Sequence, residues 1–184
     1  MGSELKRKLD YSDYAAAPDD GRRYEILDGG LFVTPAPSPA HQRISRRLER
    51  LLESYFHGAA GEMFHAPIDV ILASGDIVQP DIVIVSDPAQ VSERGIEGPP
   101  LIVVEILSPS TREHDLGMKA GRYAELGVRH YWVVDPDARR VDCHRLEAGE
   151  FRRVAGDEGE AVLEHPEWPG LVIDLAALWR RRQG

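Results

Sequence analysis

Asp81, Glu105 and Lys119 are the residues whose types and spacing point to chemistry. Asp81 sits in Val78-Gln79-Pro80-Asp81-Ile82-Val83-Ile84-Val85, and Glu105 in Leu101-Ile102-Val103-Val104-Glu105-Ile106-Leu107. Both are short, continuous apolar runs, the pattern of strands covered on both faces. A carboxylate in such a run must be paired, protonated or bound to a cation, because desolvating it alone is costly. Adjacent strands lie about 4.8 Å apart, so two acids at matching heights can share one ion. One or two carboxylates, completed by phosphate and water, suit magnesium. Such an ion polarises a phosphodiester and lowers the pKa of a bound water. The competing reading is structural: two buried acids paired with arginines.

Lys119 adds a third part. The chain has 3 lysines against 19 arginines, and the other two lysines are Lys6 and Lys8. A lone lysine in the body of so arginine-rich a chain suggests a role for a compact ammonium. On a helix over 110–126, Asp115, Lys119, Arg122 and Tyr123 share one side. Lys119 lies at the border of the apolar face beside Tyr123, from where it can reach the strand ends. Two acids and a lysine are the parts of a metal-dependent phosphodiesterase. The plainer alternative is an exposed Asp115–Lys119 pair worth about 0.3–0.5 kcal/mol.

The elements that must position these residues follow from patterning. Residues 1–20 are polar and expected to be partly ordered, with a short helix near Leu9–Ala17. Tyr24–Leu27 and Leu31–Val33 flank Asp28-Gly29-Gly30, a hairpin signal. Ser38 or Pro39 opens a helix to about Phe56, whose apolar set is Ile44, Leu48, Leu51, Leu52, Tyr55 and Phe56; Gly58 and Gly61 end it. Strands are expected at His65–Leu72, Ile77–Ser86 and Leu101–Leu107, with Gly75-Asp76 a turn and Asp87–Pro100 a long link. Ser110 with Glu113 reads as a capping box that opens the helix ending at Leu126, before Gly127. Arg129–Asp135 is a strand. A hairpin (about Arg140–Leu146 and Phe151–Val154) and a short helix, Leu175–Arg182, close the chain. The central order is helix, three strands, helix, strand: a mixed α/β sheet with helices on its faces.

The 184 residues suffice for a single domain with a real core. No apolar run approaches the roughly 20 residues that span a bilayer, and no apolar stretch follows the charges of residues 1–8. The lone cysteine, Cys143, excludes an internal disulfide and a cysteine-based zinc site. These features lead to an expectation of a cytoplasmic protein with no membrane partner. The formal net charge of −9 argues against non-specific coating of nucleic acid. It leaves room for a nuclease, which needs a local basic stripe and an acidic, cation-binding centre.

Four segments carry a family resemblance: Tyr24-Glu25-Ile26-Leu27-Asp28-Gly29; Gln79-Pro80-Asp81; Val104-Glu105-Ile106-Leu107-Ser108-Pro109-Ser110-Thr111; and Tyr131-Trp132-Val133-Val134-Asp135-Pro136. Together they resemble the motif series of the bacterial Uma family, within the PD-(D/E)XK, restriction-endonuclease-like superfamily. The likeness covers roughly residues 10–178. It implies an α-β-β-β-α-β core with a mixed central sheet, an N-terminal hairpin, and a C-terminal hairpin plus short helix. It implies an endonuclease that hydrolyses DNA with Mg2+ or Mn2+. Asp81 and Glu105 would be the metal-binding acids, with the Ile106 carbonyl a further ligand. The superfamily's last motif residue falls on Leu107, so the chain departs from the plain pattern. Uma-like branches carry the lysine on the following helix, and Lys119 is the matching position, there to orient or deprotonate the attacking water. Glu25 matches the early acidic motif as a further site acid. By fold-level analogy the resemblance also implies a homodimer whose paired sites cut both strands.

Other candidates are weaker. Asp69 and Gln79 are possible helpers. Arg43, Arg46, Arg47 and Arg50 form a stripe opposite the apolar face of their helix, fit either to track a phosphate backbone or simply to be solvated. His41, at the start of that helix, is read either as a capping or surface residue or as a contact to the site. Trp132 reads as core and Trp168 as packing for the C-terminal segment. Two further function readings stand beside the endonuclease. One is a catalytically silent relative that binds DNA or a protein partner. The other is the same site acting on RNA or a nucleotide.

Overall fold

In the computed structural model, which describes residues 7–57 and 61–180, the runs holding Asp81 and Glu105 lie side by side in a six-stranded sheet. Its strands are β3 (Glu62–His65), β6 (Ile82–Val85), β9 (Ile102–Ile106), β10 (His130–Asp135), β11 (Arg140–Glu147) and β12 (Glu150–Glu158), in the order β12-β11-β10-β9-β6-β3. Only the β9–β10 pairing is parallel, and the chain between those strands is helical, as a parallel crossover requires. A second six-stranded sheet holds β1 (Arg23–Leu27), β2 (Gly30–Thr34), β4 (Val70–Ala73), β5 (Asp76–Val78), β7 (Val91–Ser92) and β8 (Gly95–Glu97), in the order β2-β1-β5-β4-β8-β7. A small pair, β13 (Val162–Glu164) and β14 (Val172–Asp174), and the helices α1 (Tyr11–Ala15), α2 (Pro39–Tyr55) and α5 (Leu175–Trp179) complete the frame. The expected α-β-β-β-α-β order is present as α2, β3, β6, β9, the helical crossover and β10.

Both faces of the first sheet are covered, which is why its strands read as unbroken apolar runs. Ile82, Ile84, Ile102, Val104, Ile106, Trp132 and Val134 face α2, which buries Ile44, Leu48, Leu52 and Phe56. The alternate residues Val83, Val85, Val103, Leu107, Tyr131 and Val133 pack against Tyr123 and against Leu27, Val70, Val78 and Ile96 of the second sheet. Ser38 caps α2 by accepting the His41 N–H, and Pro39 occupies its first turn. The β1–β2 hairpin turns on Asp28 and Gly29, both at positive φ, as an Asp-Gly two-residue turn requires.

Several boundaries depart from the sequence reading. Residues 65–72 do not form one strand: β3 and β4 belong to different sheets, separated at Pro67. Residues 77–86 also split, into β5 and β6, at Gln79-Pro80-Asp81. A proline offers no N–H to a ladder, so each is a natural point for the chain to change sheets. The Asp87–Pro100 link holds β7, β8 and a 3-10 turn at Pro88–Gln90. The Ser110–Glu113 capping box does not form; the helix starts at Arg112, and the Ser108 carbonyl accepts the Thr111 and Arg112 N–H groups instead. The stop at Gly58 and the last residues of the Leu175–Arg182 helix lie outside the described residues. Among the described residues no helix is long and apolar enough to cross a membrane.

The crossover has three parts: α3 (Arg112–His114), a π-turn (Asp115–Lys119) and α4 (Ala120–Glu125). Arg122 of α4 clamps it to the second sheet, giving Nε to Asp76 Oδ1 at 2.8 Å and Nη2 to Oδ2 at 2.6 Å. Asp76 is buried and also accepts the Asp28 N–H at 2.9 Å. Arg122→Ala is expected to lose about 3 kcal/mol by stranding that carboxylate, lowering Tm by roughly 6–12 °C. Arg152→Ala, at an exposed pair with Glu150, should shift stability by less than about 1 kcal/mol. Equal shifts in thermal unfolding of the two variants would contradict the clamp.

Candidate active site

Asp81 and Glu105 stand at the same level because the antiparallel register pairs Ile82 with Val104. Asp81 ends the crossing between the two sheets, and its backbone carbonyl accepts the Ala66 N–H. Its Oδ2 accepts the Ile106 N–H at 2.8 Å and lies 3.1 Å from His41 Nε2. Glu105, within β9, accepts Lys119 Nζ at 3.1 Å and the Tyr123 hydroxyl at 2.7 Å, both on Oε1. Lys119 Nζ also lies 3.0 Å from Glu25 Oε1 and 3.6 Å from Asp115 Oδ1. The structure therefore brings together all four residues singled out from sequence: Asp81, Glu105, Lys119 and Glu25.

The π-turn is what carries the lysine there. Its widened ring is closed by the Ala120 N–H on the Asp115 carbonyl, which also accepts the Tyr131 hydroxyl. Such turns recur at functional sites because they re-aim side chains within a helix. Asp115, Lys119 and Tyr123 then all face the sheets. Asp115 and Lys119 are each only 3% exposed, which rules out the solvated surface pair. Glu25 comes from the second sheet. Both its oxygens are engaged, Oε1 by Lys119 and the Gln79 N–H, and Oε2 by the Thr34 hydroxyl. It is thus placed to hold the lysine.

Three acids (Glu25, Glu105 and Asp115) surround one ammonium, with Asp81 a fourth acid beside Glu105, and all five groups are buried. Burial pulls Lys119 down, but Glu105, Glu25 and Asp115 outweigh it and hold the ammonium well above the ordinary lysine range. Lys119 is therefore a charged hydrogen-bond donor. Burial pushes the Glu105 carboxyl up to about 8, with Asp115, Asp81 and Glu25 adding to the rise against the pull of Lys119. Burial likewise raises Asp115. It also keeps Tyr123 a phenol that donates to Glu105. The site is short of positive charge.

A divalent cation fits that deficit. Asp81 Oδ1 and Glu105 Oε2 accept no hydrogen bond among the described residues. Both acids line a cavity of about 210 Å3, bounded also by Arg23, His41, Lys119 and the Ser108–Thr111 loop. Among the described residues no three His, Cys, Asp or Glu side chains form a ready-made metal cage. Magnesium needs none, because it keeps several waters and takes one or two carboxylates.

The structure also separates the minor candidates. Asp69 is tied to Tyr14 and to Gln79 Nε2, at 2.6 and 2.8 Å, and the Gln79 side chain belongs to that network rather than to Asp81. His41 both closes the first turn of α2 and touches Asp81, so of its two readings the contact to the site and the capping role are both present. Asp115 and Tyr123 were visible only as helical neighbours of Lys119. Trp132 is core, and Trp168 packs on Phe56, His130 and His165.

With this geometry in hand, comparison with known proteins is informative. The model of the Uma2 family, described as "Putative restriction endonuclease", matches residues 11–176. An uncharacterized protein of Synechocystis sp. is 27% identical over 132 residues, 70% of each chain. A crystal structure from Anabaena variabilis, titled as a "putative nuclease belonging to DUF820", superposes with a TM-score of 0.74 at 19% identity, over 93% of this chain and 97% of that one. At that identity the likeness is one of fold.

The raised Glu105 gives a sign to pH dependence. Its carboxyl titrates near 4.5 unfolded and near 8 folded, so the fold takes up a proton between those values. That stability is present below the unfolded value and is lost as pH rises through the folded one. Buried His130 and His165, both lowered to about 4, act in the opposite sense below about pH 6.5, so the Glu105 contribution is read as a difference. In EDTA, the Tm of Glu105→Gln relative to wild type should rise from about pH 5 to about pH 8. A cation needs the carboxylate, so Mn2+ should raise Tm more at the higher pH. A pH-independent difference between Glu105→Gln and wild type, or equal Mn2+ stabilisation at both ends, would contradict this electrostatic reading.

Proposed function

The chain belongs to the Uma2 family, and from the geometry of its site we propose that it is an endonuclease hydrolysing phosphodiester bonds in DNA with Mg2+ or Mn2+. The observation that carries the reading is the Lys119 ammonium, about 3 Å from both Glu25 and Glu105, beside an Asp81 at the same strand level. Asp81 and Glu105 would hold the cation. When bound, that ion supplies Lewis acidity to a phosphate and a lowered pKa to a water. His41 and the Ile106 N–H orient Asp81. Tyr123 orients Glu105. Glu25 and Asp115 fix the ammonium, so that Lys119 donates to the attacking water and offsets charge developing on the pentacovalent phosphate. Because its carboxylate neighbours keep it protonated, Lys119 acts as a donor and charge rather than as a base. Two copies of the chain, one per strand, belong to the proposal by fold-level analogy alone.

The test is plasmid nicking with Mg2+ or Mn2+ by wild type, Glu105→Ala and Lys119→Met. Each variant is expected to lose about 10²-fold or more, and EDTA should abolish activity. Equal nicking by all three would mark a contaminant and end the reading. A wild type that binds DNA yet never cuts it would instead assign the catalytically silent alternative.

A further inference from the structure

We infer that a second cavity, on the far side of the first turn of α2, holds a backbone phosphate of the nucleic-acid strand that flanks the reacting one. This assignment rests on the nuclease reading and extends it. The cavity measures about 480 Å3 and lies between α2, α5 and the turn that follows β10. Arg43, Arg47, Arg139 and Arg180 line it, against one acid, Asp137. Successive residues of α2 border the two cavities. Ala40 lines this one and His41 lines the cavity of Asp81 and Glu105. The two cavities therefore flank the first turn of α2, so a strand with its reacting phosphate at the acids has a basic cavity across that turn.

Charge makes the location informative. The chain carries a formal −9, and four acids crowd its proposed centre, so a polyanion approaching it is repelled unless positive charge is concentrated nearby. Many other arginines are neutralised, among them Arg94, Arg112, Arg122, Arg140, Arg145 and Arg153. The four in the cavity make no salt bridge among the described residues. The fold fixes the side chain of one and the backbone of another. Arg47 is half-buried and donates to the Leu178 carbonyl at 2.7 Å. Arg139 sits at φ +51°, a left-handed conformation that a glycine or asparagine would adopt more readily. Its turn is fixed by Asp135, which accepts the N–H groups of Asp137 and Ala138, and its carbonyl accepts the Gly159 N–H. The guanidinium fork suits phosphate oxygens. The arginine stripe read from α2 is therefore divided: Arg43 and Arg47 join Arg139 and Arg180, Arg50 lies beside Glu49 and Glu53, and Arg46 borders both that groove and a cavity shared with His41 and Asp81.

The experiment measures binding of a fluorescein-labelled DNA duplex by anisotropy in EDTA, across KCl from about 50 to 200 mM, for wild type and Arg43→Ala/Arg139→Ala. Each phosphate contact adds about 0.9 to the slope of log K against log salt. The double variant is expected to lose about 1 from that slope and to bind about tenfold or more weakly. Arg43→Lys/Arg139→Lys should keep most of the slope, and Arg152→Ala should match wild type. Unfolding curves identify any variant that misfolds, and the lysine pair then carries the comparison with wild type through its affinity. Pyrophosphate, added at constant ionic strength, separates the two sources of phosphate. If it stabilises wild type but not the alanine pair while DNA binding is unchanged, the cavity serves a free phosphorylated molecule and the proposal falls. Unchanged slope and affinity in an enzyme that still cuts DNA also overturns the cavity and spares the nuclease reading. A reduced slope in a protein that never cuts DNA does the reverse.

Discussion

One ammonium buried among three carboxylates, with a fourth beside them, is the constraint on which this structure depends. A lysine alone in a sealed interior would shed its proton, and a carboxylate alone would take one up. Here each keeps the other tolerable, at distances of 3.0 Å from Lys119 to Glu25 and 3.1 Å to Glu105. The balance is incomplete, because one positive charge faces up to four negative ones. Buried ion clusters of this kind add little stability compared with apolar packing. Their retention is better explained by what the surplus negative charge can hold.

The architecture works toward that cluster. Glu25 is delivered by the second sheet, Glu105 by the first, and Asp81 by the crossing between them. The π-turn supplies Asp115 and Lys119 together, and α4 adds Tyr123. No single element contains the site, so the sheets and the crossover must be packed before it exists. The bidentate Arg122–Asp76 contact, which ties α4 to β5, is therefore part of how the site is assembled as well as part of the fold's stability.

Much of this was legible because local rules and tertiary context agree. The acids announced themselves by breaking apolar runs, and those runs are continuous because both sheet faces are covered. Lys119 stood out through lysine scarcity, and Glu25 through its motif. The rest was hidden for physical reasons. Pro67 and Pro80 mark changes of sheet, but a proline beside an apolar run reads equally well as an edge strand, so two composite strands were drawn where four exist. The π-turn inserts one residue's worth of backbone without a local sequence signal, and Asp115–Lys119 looked like an ordinary surface pair. For His41 the position at the helix start suggested the site, but its partner, Asp81, lies 40 positions away and spacing along the chain does not name it.

A protein of net charge −9 with an acidic centre sets itself a difficult task if its substrate is a polyanion. Local arginine placement and a bound cation address the two halves of that problem, attraction of the strand and neutralisation of the centre. The cation is the decisive half. Crystals soaked in Mn2+ and measured for anomalous scattering test it most directly. The account predicts an anomalous peak between Asp81 and Glu105, lost in Glu105→Ala crystals, with the Lys119 ammonium still on Glu25. No peak there in well-ordered crystals at millimolar Mn2+, or one held by other residues, would contradict it.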